Sequence, residues 1–282
     1  KVSFLSGWAA FGAFVAIIPW EAIQITDVLG YLIPGIKTGP ILYKVAGEPI
    51  YLITIIIGTV ASLLLFALNM RGLAAAASVQ KILCFILVGA AVIGAIASLI
   101  GGNADNWKPI YDVTDPTIYG NPADGLKQVS HNSMFGGMFA ILATSPFFLC
   151  GFENIPQTVE DAGGSHKKVG FTVLLSIIMA CLFYALLLFC IGAAWPWQDF
   201  YLNTASPAAA NVFAKIFAGS AMGNVMYILL CAGALCGLLT TWNSFFMGTA
   251  NLMMALARTH MLPFALSKRS AKTGTPVNAL IV

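Results

Sequence analysis

The stretch Ser145-Pro-Phe-Phe-Leu-Cys-Gly-Phe-Glu-Asn-Ile-Pro156 decides how this chain is read. It lies within a predicted span, overlapping an apolar run without charge, residues 128–152, yet holds two prolines, a glycine and an ionisable residue. Pro146 cannot donate a backbone N–H, and Gly151 weakens a helix further. Unwound backbone at membrane depth is tolerated only where protein or a wet cavity surrounds it. There the freed N–H and C=O groups can bind a ligand. A half-helix beginning near Gly151 would aim its positive end at that point. From these residues alone, a proline kink with no ligand is the plainer alternative.

Glu153 adds a second signal. An uncompensated carboxylate inside a span costs at least a few kcal/mol. It must be protonated, paired or in water, and a residue with those options can carry protons or gate a pathway. The alternative is a carboxylate near the inner surface that reaches out to water.

Composition places this stretch in a bilayer. Of 282 residues, 59% are hydrophobic and 9% charged, against about 25% charged in a soluble domain. This excludes a soluble globular domain, a disordered chain and a nucleic-acid binder. The net charge is +3, and no Lys/Arg cluster exceeds three in a short stretch, so linear sequence indicates no polyanion partner. Charges are absent from residues 2–20, 49–70, 82–104, 128–152, 169–198 and 216–257. Each gap approaches or exceeds the roughly 20 residues a helix needs to cross a bilayer. The runs are continuously apolar rather than alternating, which argues against a β-barrel.

The spacing predicts an all-α polytopic membrane protein, one transmembrane domain over residues 1–282. Six complete spans are expected, at about 4–24, 49–68, 75–100, 132–158, 169–194 and 223–257, with a seventh starting at Pro276. A tight inner turn, Asn69-Met-Arg-Gly72, joins two of them. Loops are expected from Gly30 to Pro49 and from Gly101 to His131, and a short interfacial helix from Pro207 to Phe217. The chain reads as an interior fragment, incomplete at both ends. Alternate loops divide fourteen basic residues nine to five, with Arg71, Arg258, Lys268, Arg269 and Lys272 in the richer set. The positive-inside rule puts that set in the cytoplasm.

No metal, cofactor or catalytic constellation stands out. All six cysteines fall inside predicted spans, so they suggest no disulfide framework. His131, His166 and His260 lie in loops and near no acid at ligand spacing. Glu21 follows Pro19-Trp20 and reads either as lining an outer vestibule or as an interfacial carboxylate at a helix end. Thr240, Thr241, Asn243 and Ser244 lie inside the last complete span. Back-bonding to their own helix is the commoner role for Thr and Ser there.

The chain resembles the amino acid–polyamine–organocation (APC) permeases. Gly151-Phe152-Glu153 followed by Glu160-Asp161 looks like the sixth-helix signature of that family. Asn69-Met-Arg-Gly72 resembles its turn between helices four and five. Ala257-Arg258-Thr-His-Met-Leu-Pro263 with Gly274-Thr-Pro276 is similar to its loop between helices eight and nine. The motifs occur in family order, so the resemblance covers roughly helices three to nine.

The resemblance implies two inverted repeats of five helices, with substrate held between two broken helices and access alternating by rocking. It maps a substrate-binding segment onto Phe147, Phe148, Leu149, Cys150 and Gly151, with Phe147 at an aromatic gate. Glu153 matches an acid linked to gating. Glu21 is a second candidate for a gating or proton-linked role. Thr240, Thr241 and Ser244 match hydroxyls of a possible ion site. Two departures stand out. Ala162-Gly163-Gly164 follows the paired acids where the family often has Asn-Pro. Phe85 occupies a place where some members carry a Lys, with Lys81 one turn nearer the cytoplasm.

The combined reading is a secondary active transporter (permease) of amino acids or related organic amines. It would be coupled to H+ or Na+ or work by exchange, in the plasma membrane. It needs no cofactor and no nucleic acid; its partners are a small-molecule substrate and the lipid bilayer. The rivals are an integral membrane enzyme, which needs convergent His, Asp or Ser groups, and a channel, which needs a symmetric repeated filter.

Overall fold

The computed structural model describes residues 2–45, 48–108, 134–149, 151–152, 155, 166–196 and 207–282. Helix α1 spans Val2–Leu32, α2 Leu52–Met70, α3 Leu73–Gly101, α4 Met134–Phe148, α5 His166–Ala194, α6 Ala208–Ile216, α7 Ala221–Arg258 and α8 Val277–Ile281. A short hairpin, β1 Ile41–Val45 and β2 Glu48–Tyr51, joins α1 to α2. Among the described residues, five helices are long and apolar enough to cross a membrane: α1, α2, α3, α5 and α7.

Three boundaries depart from the pattern of charge gaps. The sequence reading ends α1 near Gln24, but the helix continues to Leu32. Its added turns absorb their polar groups locally: Thr26 Oγ1 donates to the Ala22 carbonyl at 3.0 Å, and Asp27 pairs with Lys37 at 2.6 Å. The expected loop from Gly30 to Pro49 contains the hairpin, with Ile41 opposite Tyr51 and Val45 opposite Glu48. Ile41, Tyr43 and Val45 favour strand, and Pro49 is tolerated because a two-stranded ribbon has only edges. Within the fourth expected span, 132–158, α4 runs from Met134 to Phe148, a turn follows, and Ile155 is again helical. The fifteen residues of α4 rise about 22 Å, less than the ~30 Å hydrocarbon core, before the turn interrupts them. The expected short helix after Pro207 is present as α6.

The chain divides into two compact units. One comprises Lys1–Val88, Glu153–Thr172 and Cys231–Val282; the other comprises Gly89–Phe152 and Val173–Leu230. The buried core of the first unit gathers around α7. Phe14 of α1 packs with Phe245, Leu252 and Leu256, and the Phe14 and Phe245 rings meet edge-on at 5.4 Å. Ile25 of α1 and Leu65 of α2 pack on Trp242, which is fully buried. Met247, Ala250 and Met253 pack on Ala279 and Leu280 of α8. Helices α1 and α2 approach closely at Gly58, where a Cβ would lie 2.8 Å from that of Ala22. Lipid-exposed helices gain little from hydrophobic burial against one another, so small residues at such crossings supply the packing.

In the second unit a 3-10 turn, Ala104–Trp107, caps the end of α5. A helix leaves its last carbonyls without intrahelical donors. Here Asn103 N–H and Asn106 Nδ2 donate to the Ala193 carbonyl at 2.9 and 2.7 Å. Trp107 Nε1 donates to the Phe189 carbonyl at 3.0 Å, and its ring stacks on Phe189 at 4.5 Å. Gly102 is required at this crossing, because a Cβ there would overlap the Ala193 carbonyl oxygen. Lys215 sits over the Trp195 ring at 5.4 Å, a cation–π contact.

Candidate functional site

The decisive stretch proves to be the end of a helix. Ser145 Oγ donates to the Ile141 carbonyl at 2.8 Å, and Leu149 N–H donates to the Ser145 carbonyl at 3.1 Å, closing the last turn of α4. Pro146 therefore falls within the helix rather than at the break. The backbone turns away just beyond Phe148, and Gly151 adopts φ +117°. That left-handed conformation is strained for any residue with a Cβ. Phe147 and Phe148 occupy the final turn of α4, and Leu149 and Gly151 lie in the turn that follows. Cys150, Glu153 and the acids Glu160 and Asp161 lie outside the described residues; of the stretch beyond Gly151 where a half-helix is expected, Phe152 is in the turn and Ile155 is helical, and the other residues before His166 lie outside the described ones.

Glu21, Thr240, Thr241 and Ser244 belong to the first unit, whereas Phe147, Phe148, Leu149 and Gly151 belong to the second. Glu21 shares one face of α1 with Phe14 and Ile25, by the helical period. All three are buried at 5% exposure. Glu21 Oε2 is buried and accepts no hydrogen bond among the described residues. The interfacial reading of Glu21 does not describe this position, because the side chain is enclosed rather than solvated. A cavity of about 250 Å³ lies beside this part of α1, lined by Ile18, Pro19, Ala22, Thr54, Gly58 and Trp242 among others.

The hydroxyls of α7 back-bond to their own helix. Thr240 Oγ1 and Thr241 Oγ1 donate to the Gly237 carbonyl at 2.7 and 3.1 Å, and Ser244 Oγ donates to the Thr240 carbonyl at 2.9 Å. A hydroxyl used as a donor keeps acceptor lone pairs. Ser244 spends one of these: Gln80 Nε2 donates to it at 2.6 Å.

That contact is one link of a chain of amides. Asn69 Nδ2 donates to the Leu65 carbonyl and to Asn243 Oδ1, both at 2.8 Å. Asn243 Nδ2 donates to Gln80 Oε1 at 2.9 Å, and Gln80 continues to Ser244. Thr275 Oγ1 donates to the Asn69 carbonyl at 3.2 Å. The chain ties α2, α3, α7 and the segment before α8 together within the first unit. Asn69 is 1% exposed, and its Oδ1 is without a donor among the described residues. Reading charges alone misses this arrangement, because Asn and Gln carry none. The signal in the sequence is only that three neutral amides, Asn69, Gln80 and Asn243, fall in or at the ends of three different apolar helices.

Five long apolar helices, with a shorter one that stops at a left-handed glycine, define an all-α polytopic integral membrane protein. The sequence model of the family described as "Amino acid permease" matches residues 1–282, and the chain belongs to that family. It is similar to Cationic amino acid transporter 1 of Arabidopsis thaliana, 27% identical over 146 residues, 52% of this chain and 23% of that protein. It is also similar to Cationic amino acid transporter 5 of the same plant, 28% identical over 143 residues, 51% of this chain and 24% of that protein. A third relative, "Cationic amino acid transporter 2, vacuolar", is 26% identical over 145 residues, 51% of this chain and 22% of that protein. The chain spans about a quarter of the length of these curated relatives.

Proposed function

We propose that the protein is a secondary active transporter of amino acids or related organic amines, working by alternating access. The observation that carries this is the early end of α4 at Phe148, followed by the left-handed Gly151, in a chain of the amino acid permease family. The C-terminal end of a helix carries the negative end of its dipole and carbonyls without intrahelical donors. An α4 that stops short of the bilayer thickness offers such an end to a substrate ammonium. Phe147 then acts as the aromatic gate, and the backbone from Phe147 through Phe148, Leu149 and Cys150 to Gly151 faces the amine. The names of the relatives favour cationic amino acids as the first substrates to test.

Glu153 and Glu21 take the gating or proton-linked role. For Glu21 the support is geometric: an enclosed carboxylate oxygen without a donor must take a proton, a cation or water. A coupling Na+ would use the remaining lone pairs of Thr240 and Thr241, with Ser244 shared between this role and its bond from Gln80; a coupling H+ would instead be carried by Glu153 or Glu21. Exchange without an ion is the other energetic option. The membrane is proposed to be the plasma membrane, with a vacuolar one as the alternative favoured by a relative's name. No enzymatic reaction is assigned.

Uptake of radiolabelled arginine or lysine into proteoliposomes tests the reading. Phe147→Ala should raise the apparent KM about tenfold or more while leaving thermal unfolding nearly unchanged; an unchanged KM would reduce the turn at Gly151 to a plain helix end. Glu153→Gln should lower uptake and flatten its pH response. Wild-type uptake at every pH by that variant would remove Glu153 from the mechanism.

A further inference from the structure

Arg258, Lys268, Arg269 and Lys272 share one stretch of sequence, and the fold brings Arg71 beside it at one end of the first unit. The α2–α3 turn carries Arg71, and the α7–α8 loop carries Arg258, Lys268, Arg269 and Lys272. Two contacts hold these segments side by side. Thr275 Oγ1 donates to the Asn69 carbonyl, and a Cβ at Gly72 would lie 3.5 Å from that of Thr273. Arg71 and Lys272 are each the residue just before one partner of the Gly72–Thr273 contact. The α7–α8 loop is itself closed: Ser270 N–H donates to the Thr275 carbonyl and Gly274 N–H to the Ser270 carbonyl, both at 2.9 Å. Lys272 stands at the tip of that closed turn. Arg71, Arg258, Lys268 and Lys272 are exposed.

Neither of these two segments itself contains an acidic residue. The chain has no Asp or Glu between Glu48 and Asp105, and none after Asp199. Beside the charges stands Phe264, 59% exposed, its ring stacked on His260 at 5.9 Å. The ends of α2 and α7 and the starts of α3 and α8 all adjoin these two segments. Helix α2 has 19 residues, about one bilayer crossing, so in a spanning chain its end at Met70 and the turn joined to it lie at headgroup level. Cations with an exposed aromatic ring at that level match a lipid whose head is anionic and whose tail begins a few Å deeper.

We propose that this end of the first unit, formed by the α2–α3 turn and the α7–α8 loop, binds the headgroup of an anionic phospholipid. Arg71, Lys268 and Lys272 contact the phosphate, and Phe264 lies against the glycerol and upper acyl region. The site is independent of the transport reading, because it needs only a chain that spans the membrane.

The test is thermal unfolding of the purified protein in neutral detergent, titrated with short-chain phosphatidylglycerol or phosphatidylcholine. Phosphatidylglycerol should raise the melting temperature in a saturable way and phosphatidylcholine should not. Each charge removed should weaken the interaction about fivefold, so Arg71→Gln/Lys268→Gln/Lys272→Gln together should abolish the shift. Arg71→Lys/Lys268→Arg/Lys272→Arg should keep it, as should Lys108→Gln in the second unit. If the triple Gln variant does not fold, Arg71→Gln and Lys272→Gln singly should each weaken binding about fivefold. Wild-type affinity in the Gln variants overturns the proposal. So does an equal shift from inorganic phosphate at matched ionic strength, which would identify a free-anion site instead.

Discussion

Asn243 both accepts from Asn69 and donates to Gln80, so one residue in mid-helix holds three helices in register. Interhelical hydrogen bonds in membranes are worth about 0.6 kcal/mol each on average. Leaving buried partners unsatisfied costs more, about 1–3 kcal/mol per group. Asn243→Leu should therefore destabilise the protein by roughly 2–4 kcal/mol, read as a lower melting temperature in detergent. A double-mutant cycle of Gln80→Ala with Asn243→Ala should show a coupling well above zero; additive effects would mean that the bond contributes little. These roles were only partly legible. Thr240, Thr241 and Ser244 are visible as polar residues in a span, and their back-bonding follows from residue type. Which of them meets another helix depends on how α3 lies against α7, and spacing along one chain does not encode that. Gln80 carries no charge and sits in no motif, so nothing local distinguishes it.

At the scale of elements, gaps between charges locate the five long helices well, because a charge within the bilayer is too costly to be common. Ends are less legible where polar groups find partners nearby. Gln24, Thr26 and Asp27 look like the end of a helix, yet α1 continues to Leu32 with Thr26 bonded to Ala22 and Asp27 to Lys37. The opposite happens in α4, where the apolar run continues past the point at which the helix stops. Pro146 marks the neighbourhood of the break, and the left-handed Gly151 locates the turn itself. Packing between elements is legible only as a tendency of glycine. Gly58 is one of 27 glycines, and only the fold shows that it faces Ala22 at a distance closed to larger side chains. Gly58→Leu should drive α1 and α2 apart and cost about 1–3 kcal/mol. The paired change Ala22→Gly should recover part of the loss in the same unfolding assay. Gly12, which has open space around it, should tolerate Ala with little effect.

For the whole molecule, the family assignment is the firmest result, and three short motifs in the right order anticipate it. Each motif has a local structural reason: a left-handed Gly72 between two helices, a left-handed Gly151 after a third, and a closed loop before α8. The orientation is a further whole-molecule property, set by the division of basic residues between the two sides. Single cysteines at Arg71 and Lys272 should both react with an impermeant thiol reagent from the cytoplasmic side, and one at Lys37 from the opposite side. Labelling of Arg71 and Lys272 positions from different sides would contradict their meeting around Gly72 and Thr273.

The closed turn from Ser270 to Thr275 has another consequence. Exposed loop tips are where proteases nick a chain, and a loop rich in Lys and Arg presents many trypsin sites. Susceptibility depends on whether the backbone can open into a protease cleft, not on side chains alone. The bonds from Ser270 to Thr275 and from Gly274 to Ser270, with Thr275 anchored to Asn69, keep the backbone around Lys272 folded on itself. This basic loop would thus survive digestion that its composition invites, and the time to its first cut would report how long the end of α2 and the start of α8 stay joined.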